Sequence, residues 1–373
     1  MPHPQAPAQI RPTTAHVDLG RLAQNFRRIQ ALVGSQVRVL APVKGDAYGH
    51  GLTRCALALE AAGCDAFGVA LIEEGRALRR AGVRGMVLCL GGVGVAGAET
   101  AVREDLTPML YDLDTAAALE RAAASFGAPV KVHLKVDTGM GRLGVPLGEW
   151  EHFLDRLAEY RWIQVEGIAT HFAESEAADP TFTLEQARRF RRAVAAARVR
   201  AFLPQYLHQS NSGATLRGPE FHLQMVRPGL ALYGLGSDPE LLPVMRVTTQ
   251  VLFVKNLPQG APVSYGRRWV AHRPTRLATL PVGYADGYLR ALSNRSEVVI
   301  HGRRCPVRGA VCMDLIMVDI TDVPAPVRPG DEVELLGDNV GADELAAWAG
   351  TISYEILTNF SERVPRAFGA EAP

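Results

Sequence analysis

The sequence predicts an α/β chain in which an N-terminal (β/α)8 TIM-like barrel is followed by a mostly β C-terminal domain. Three observations carry this reading. From residue 13 to about 240, short apolar strands alternate with longer helical patterns. After about residue 242 the segments become short, valine-rich and punctuated by Pro and Gly. Unusual polar residues collect where the barrel strands end, the face at which barrels carry chemistry. The expected domains are 13–242 and 243–373, and residues 1–12 can join the second. At 373 residues the chain exceeds one small core, so two domains are expected.

Each barrel element follows from its pattern. Helix Leu19–Leu32 is expected first, then strand 37–44, helix 51–62, strand 66–70, helix 72–81 and strand 85–90. The fourth strand is expected at 106–111 and helix 114–125 after it. Strands five to eight are expected at 130–136, 163–171, 205–209 and 224–226, with helices 148–159 and 183–198 between strands five, six and seven. Periodicity alone leaves a doubly wound sheet as the alternative. In the second domain, strands are expected at Val247–Val254, Thr275–Pro281, Glu297–Ile300, Val307–Val311, Ile316–Ile320 and Asp331–Leu336. One helix, Ala342–Ala349, carries Asp343 in its first turn.

Composition excludes several function classes. Apolar content is 47%, enough for a large core. Forty basic and 39 acidic residues leave a net charge of +1, which gives no electrostatic case for nucleic acid. Arg188, Arg189, Arg191 and Arg192 read as a solvated helix face. The opening MPHPQAPAQIRP has no basic stretch followed by an apolar core, so no secretory leader is expected, and no apolar 18-mer suggests a membrane span. Cys55, Cys64, Cys89, Cys305 and Cys312 lack CxxC spacing, so neither a disulfide scaffold nor a thiolate metal site is expected, and a cytoplasmic location suits them.

The strand ends hold the candidate site. Lys44 ends strand one, Lys135 and Asp137 end strand five, and His171 ends strand six. His208, Asn211 and Ser212 end strand seven, and Arg227 ends strand eight. Such cationic and imidazole groups need anionic partners or a ligand. Asn211, Ser212 and Gly213, with the backbone of Gly229 and Leu230, are phosphate-donor candidates in the two loops that bind phosphate in barrels. A strand-end lysine with phosphate donors suits pyridoxal 5'-phosphate, held covalently through the lysine. In strand five, Lys131, His133, Lys135 and Asp137 share one face. That face points into the barrel, so Lys135 and Arg142 need an anion: either Asp137 supplies it or Lys135 is itself modified.

With these residues in hand, the chain resembles the alanine racemase family. The motifs that carry the resemblance run in order: VKGDAYGHG (43–51), KVDTGMGRLG (135–144), THF (170–172), HQSNS (208–212), VRPGLALYG (226–234), VSYGRRW (263–269), PVGYADGYLR (281–290), VCMDLIMVD (311–319) and TISYEI (351–356). The resemblance implies a cytoplasmic isomerase that interconverts L- and D-alanine and supplies D-alanine for peptidoglycan, acting as a homodimer with shared active sites. A broad-specificity amino-acid racemase of the same fold is the alternative.

It further implies that Lys44 holds the cofactor and is the base facing D-alanine. Tyr265, from the second subunit, is the base facing L-alanine. Arg227 donates to the pyridine nitrogen, with His208 behind it and His171 against the ring. Tyr48, Ser212 and Tyr354 contact the phosphate, helped by the backbone of Gly229 and Leu230, with Asn211 beside them. Arg142 and the Met313 backbone address the substrate carboxylate. Tyr284 narrows the entrance, and Arg290 and Asp314 lie outside it. Cys312, beside Met313, is read as a packed supporting side chain rather than a nucleophile. Lys135 matches a position carbamylated in many relatives. Gly45, Asp46, Gln209 and Ser353 depart from the commonest family wording without removing a catalytic group. His16, His133 and His222 receive no role.

Overall fold

The computed structural model describes residues 11–369. Eight parallel strands close a barrel within residues 20–242: β1 Arg38–Pro42, β2 Ala66–Val69, β3 Met86–Cys89, β4 Thr107–Leu110, β5 Val130–Asp137, β6 Ile163–Ala169, β7 Tyr206–His208 and β8 Met225–Val226. The ring shuts where β8 pairs β1 through Met225↔Arg38 and Val226↔Val39, and where β4 pairs β5 through Met109↔His133. Burial on both faces explains why these strands read as short apolar runs rather than alternating ones. Leu40, Ala66, Leu88, Met109, Ala169 and Met225, from six different strands, form one interior cluster. The other two strands differ. His133 of β5 lies opposite Met109, and His208 of β7 lies opposite Ala169 and Met225, so imidazoles complete an otherwise apolar ring.

Helices connect the strands as expected, with additions between β3 and β4 and, as the short helix Ser212–Arg217, between β7 and β8. Gly94–Arg103 is helical between β3 and β4, where the glycine-rich sequence shows no helical signal. Helix Leu113–Phe126 starts on Asp112, whose Oδ1 accepts from Thr115 N at 2.7 Å, and stops at Gly127 with φ 65°. Asn25, buried in helix Leu19–Val33, donates to the carbonyls of Leu232 and Leu242 and accepts from Leu242 N. That ties the first helix to the segment after β8. Among the described residues, no helix is long and apolar enough to cross a membrane.

The second unit joins residues 11–19 to residues 243–369. Residues 13–19, expected to open the barrel, therefore belong elsewhere. Thr14–Asp18 runs antiparallel to Met245–Gln250 and parallel to Arg366–Gly369. The reason is pairing, because Ala15 and Val17 are buried between those two neighbours. Residues 1–10 lie outside the described residues. A six-stranded sheet, a three-stranded sheet and a two-stranded ribbon make up this unit. The strand expected at Val307–Val311 is displaced to Arg303–Pro306, and Val307 keeps only an isolated bridge to Val318. The expected strand Val247–Val254 divides into Met245–Gln250 and Phe253–Leu257, which lie in different sheets. Helix Ala342–Ala349 forms as expected, and a second helix, Ser353–Asn359, follows it.

One buried carboxylate anchors this unit. Asp286 is fully buried and accepts from Arg11 at 2.5 and 2.6 Å and from Gly283 N at 2.8 Å. It thus holds both the N-terminal segment and the turn carrying Tyr284. Asp286→Ala is expected to destabilise the chain by about 2–4 kcal/mol, because it removes the charge-assisted bonds to Arg11 and leaves the buried Gly283 N–H without its acceptor. Denaturant unfolding checks this, and an unchanged midpoint would refute it.

Candidate active site

Lys44 enters the barrel mouth on an unusual turn directly after β1. Residues 45–49 all have positive φ, from 54° to 81°, so the chain makes one left-handed turn. Ala47 N bonds Val43 O at 2.7 Å and Gly49 N bonds Gly45 O at 2.9 Å within it. Non-glycine residues pay about 1–2 kcal/mol each for this conformation, so surrounding contacts must hold it. Glu74 is one such contact. It accepts from Gly45 N, Ala70 N and Leu71 N at 2.7, 2.8 and 3.1 Å. Asp46 Oδ1 takes Leu52 N at 2.7 Å and starts the next helix. Tyr233 is another: its ring lies 4.9 Å from Tyr48 and 4.5 Å from His50, and its hydroxyl donates to Pro42 O. Glu74 and Tyr233 are supports that sequence reasoning misses. Glu74 sits at the third position of its helix, a capping signal that could have drawn notice.

Arg227 is the centre of the mouth. It is 6% exposed, and no carboxylate touches it. Nη1 donates to His208 Nδ1 at 2.8 Å. Nη2 donates to Thr170 O at 2.8 Å, His171 Nδ1 at 3.0 Å and Gln209 O at 3.2 Å. Among the described residues its Nε–H has no acceptor and Nη1 uses only one of its two N–H groups, which leaves donors for a ligand. Burial, and behind it Arg142, lowers Arg227 to about 10. Burial and then Arg227 push His171 and His208 well below the ordinary imidazole range. Burial lowers Lys44 as well, followed by Arg142 and Arg227, against an opposing pull from Glu74. Lys135, 9% exposed, is lowered strongly by burial, Arg227 and Arg142. Two fixed cations, Arg227 and Arg142, thus act on bases that are pushed toward their neutral forms.

The turn after β5 shows how the Asp137 carboxylate is used. Asp137 spends its carboxylate on the N–H groups of Gly139, Met140 and Gly141, at 2.9, 2.8 and 2.9 Å. It shapes the loop carrying the exposed Arg142 and makes no ion pair with Lys135. The phosphate candidates lie on two short helices. Asn211 caps Ser212–Arg217 through Ala214 N and also takes the Ser175 hydroxyl at 2.6 Å. Ser212 Oγ accepts from Ala231 N at 3.2 Å. The Gly229 amide already donates to Arg227 O at 2.9 Å, so a ligand would have to share it. Gly229 itself is dictated by space, since a Cβ there would lie 2.3 Å from the Tyr48 hydroxyl.

The other sequence-predicted residues belong to the second unit. Tyr265 opens a tight turn between Ser264 and Arg267, both at positive φ, and is 74% exposed. Ser264 Oγ donates to Ala310 O at 2.7 Å and meets Cys312 Sγ at 3.3 Å, which joins this turn to the Met313 segment. Tyr284 N and Ala285 N donate to Cys312 O and Met313 O. Gly283 permits that approach, because a Cβ would lie 2.3 Å from Cys312 O. Asp314 pairs with Arg363 at 2.6 Å. Met313, Tyr284, Arg290 and Tyr354 are exposed.

The description "Alanine racemase, N-terminal domain" matches residues 17–237, and "Alanine racemase, C-terminal domain" matches 244–368. The chain belongs to the alanine racemase family. An alanine racemase of Geobacter sulfurreducens is 44% identical over 372 residues, covering 96% of this chain and 97% of that protein. One from Halothermothrix orenii is 42% identical over 369 residues, covering 96% and 97%. Among solved structures, the Bartonella henselae alanine racemase with covalently bound pyridoxal phosphate superposes with a TM-score of 0.89 at 31% identity, covering 96% of this chain and 99% of that one. The Bacillus anthracis alanine racemase with bound L-Ala-P gives 0.90 at 32%, covering 98% and 97%.

Two outcomes test this geometry. Gly229→Ala is expected to displace the Tyr48 ring and destabilise the barrel by about 1–3 kcal/mol. Adding Tyr48→Phe should recover most of the loss by removing the colliding oxygen, and no recovery in melting temperature would contradict the contact. Separately, the lowered histidines bind protons more readily unfolded than folded. Their stabilising effect is complete above an unfolded value of about 6.5 and is lost as pH falls below it. The cofactor-free protein should therefore melt at a lower temperature at pH 5.5 than at pH 7.5, and a flat profile would count against burial of neutral imidazoles.

Proposed function

We propose that this chain interconverts L- and D-alanine with pyridoxal 5'-phosphate, using Lys44 and Tyr265 as bases on opposite faces of the substrate. The observation that carries the reading is the buried Arg227, with its Nε–H left over, in a mouth that also holds a strand-end lysine of lowered pKa. This donor set fits the cofactor. Lys44 Nζ would be the covalent tether, and the Arg227 Nε–H would donate to the ring nitrogen. The His171 ring would pack against the cofactor. Tyr48, Ser212 and Tyr354 hydroxyls hold the phosphate, with Asn211 and the Gly229 and Leu230 backbone around them. When bound, the cofactor withdraws electrons from the substrate Cα and so acidifies its proton.

The chain's own groups then move the proton. Lys44 Nζ takes it from D-alanine, and the Tyr265 oxygen takes it from L-alanine. The opposite group returns a proton on the other face, which inverts the centre. Lowering Lys44 raises the neutral fraction that can act as a base. Arg227 remains protonated at neutral pH and donates without releasing its proton, so the pull of the ring nitrogen stays limited. Arg142 and the Met313 amide hold the substrate carboxylate, while Tyr284, Arg290, Cys312 and Asp314 shape the entrance. Burial, Arg227 and Arg142 push Lys135 toward the neutral form that adds carbon dioxide. Its carbamate would give Arg142 the anion that Asp137 does not supply.

A second copy of the chain completes the site. Tyr265 at 74% exposure and Met313 at 53% are large side chains with little cover of their own, which supports their insertion into a partner's barrel mouth. The D-alanine formed in the cytoplasm would serve peptidoglycan assembly.

Tyr265→Ala is expected to slow deuterium uptake into L-alanine by about 10²–10⁴-fold while sparing D-alanine. Equal loss for both enantiomers would sink the two-base assignment. Mixing inactive Lys44→Ala with inactive Tyr265→Ala, followed by subunit exchange, should restore about a quarter of wild-type activity, since half the sites in half the dimers are intact. No recovery in verified heterodimers would reject shared sites.

A further inference from the structure

An arginine side chain only donates hydrogen bonds, and this places the protons of two buried histidines. Arg227 Nη1 donates to His208 Nδ1 at 2.8 Å, so that nitrogen is bare and neutral His208 carries its proton on Nε2. Nε2 faces His133 Nδ1 at 2.8 Å, so His208 donates there. The proton of neutral His133 then sits on Nε2, which points at Glu166 Oε2 across 3.7 Å. Neither of those two atoms has another partner among the described residues. Glu166 Oε1 meets Lys131 Nζ at 3.1 Å. His133 first, and then Lys131 against the opposing effect of burial, keep the Glu166 carboxyl below its ordinary range.

Two backbone features serve this line of groups. The β5–β6 register steps from Val132↔Val165 to His133↔Gly167, so Glu166 is the extra residue of a bulge. Bulges re-aim a side chain, and here the carboxylate is 9% exposed although it lies on a strand. Gly167 clears space for the imidazole, because a Cβ there would lie 2.4 Å from His133 Nδ1. On the far side Tyr206 stacks on His133 at 6.1 Å, and Arg38 fixes Tyr206 through its hydroxyl at 2.8 Å. The charged groups nearest His133 are thus Arg38 and Arg227 as cations and Glu166 as the anion.

We propose that Arg227, His208, His133 and Glu166 form a one-way hydrogen-bond chain through the barrel interior, in which His133 and Glu166 are positioning residues that hold the Arg227 Nε–H on the cofactor's ring nitrogen. This rests on the role given to Arg227 above. A reversed tautomer would set N–H against N–H at 2.8 Å, and the Glu166 charge opposes that reversal. In the cofactor-bound chain the last link closes from 3.7 Å to about 2.9 Å.

Neutron diffraction of the perdeuterated holoenzyme tests the direction. Deuterons are expected on Nε2 of both histidines and on neither Nδ1, and a deuteron on either Nδ1 overturns the chain. Variants test the coupling. Glu166→Gln keeps an acceptor, whereas Glu166→Leu removes it. The leucine variant should shift the absorbance maximum of the bound cofactor and its pH profile, and lower kcat by about tenfold with little change in KM, the size of effect seen when a supporting contact is lost. The glutamine variant should recover most of both. Equal behaviour of the two variants, or an unshifted absorbance in the leucine variant, overturns the proposal. Misplaced deuterons in an active racemase sink only the chain, whereas wild-type holoenzyme without racemase activity sinks the assignment of Arg227.

Discussion

A single buried guanidinium organises the barrel mouth. Taking Arg227 out of water costs several kcal/mol unless its N–H groups are met. The fold meets them with two carbonyls, Thr170 and Gln209, and two imidazoles, His171 and His208. No carboxylate neutralises it at contact distance, so its field reaches the other bases. Lys44, Lys135, His171 and His208 all feel it, and all are pushed toward their neutral forms. Burial and Arg142 add to its effect on Lys44.

The second constraint is local strain at Lys44. Asp46, Ala47 and Tyr48 sit near φ 54–55°, where side chains crowd the following carbonyl. Glu74 and Tyr233 brace that turn from different elements. Gly229 is held to hydrogen alone by the Tyr48 hydroxyl. Lysine, phenol and phosphate loop are thus positioned together, with an accuracy that no one element provides.

Much of the fold was legible because its signals are local. Strand-end polarity pointed to Lys44, Lys135, His171, His208 and Arg227, and all eight barrel strands lie within a few residues of their expected bounds. The misses are physical rather than accidental. Gly94–Arg103 is helical although its glycines lower propensity, because Ala98 and Ala101 are buried by neighbouring elements. Thr14–Asp18 fell inside the expected barrel range, since an apolar alternation does not say which sheet it will join. The partner strands Met245–Gln250 and Arg366–Gly369 are more than two hundred residues away. The choice between Asp137 and a modified lysine also could not be read from spacing. The three backbone N–H groups that occupy the Asp137 carboxylate are brought to it only by the folded turn.

By itself the sequence determined the barrel-plus-β architecture and the family, and it named the candidate site residues, because periodicity and contiguous motifs are written in neighbouring positions. Tertiary structure alone decided the states of those residues. The neutral imidazoles, the lowered lysines and the spare donor of Arg227 all follow from burial and from charges brought together by chain closure. The bulge that turns Glu166 inward and the hydrogen-bonded pair His133–His208 belong to the same class. Protonation and hydrogen-bond direction depend on what surrounds a group in space, and the order of residues along a chain does not specify that.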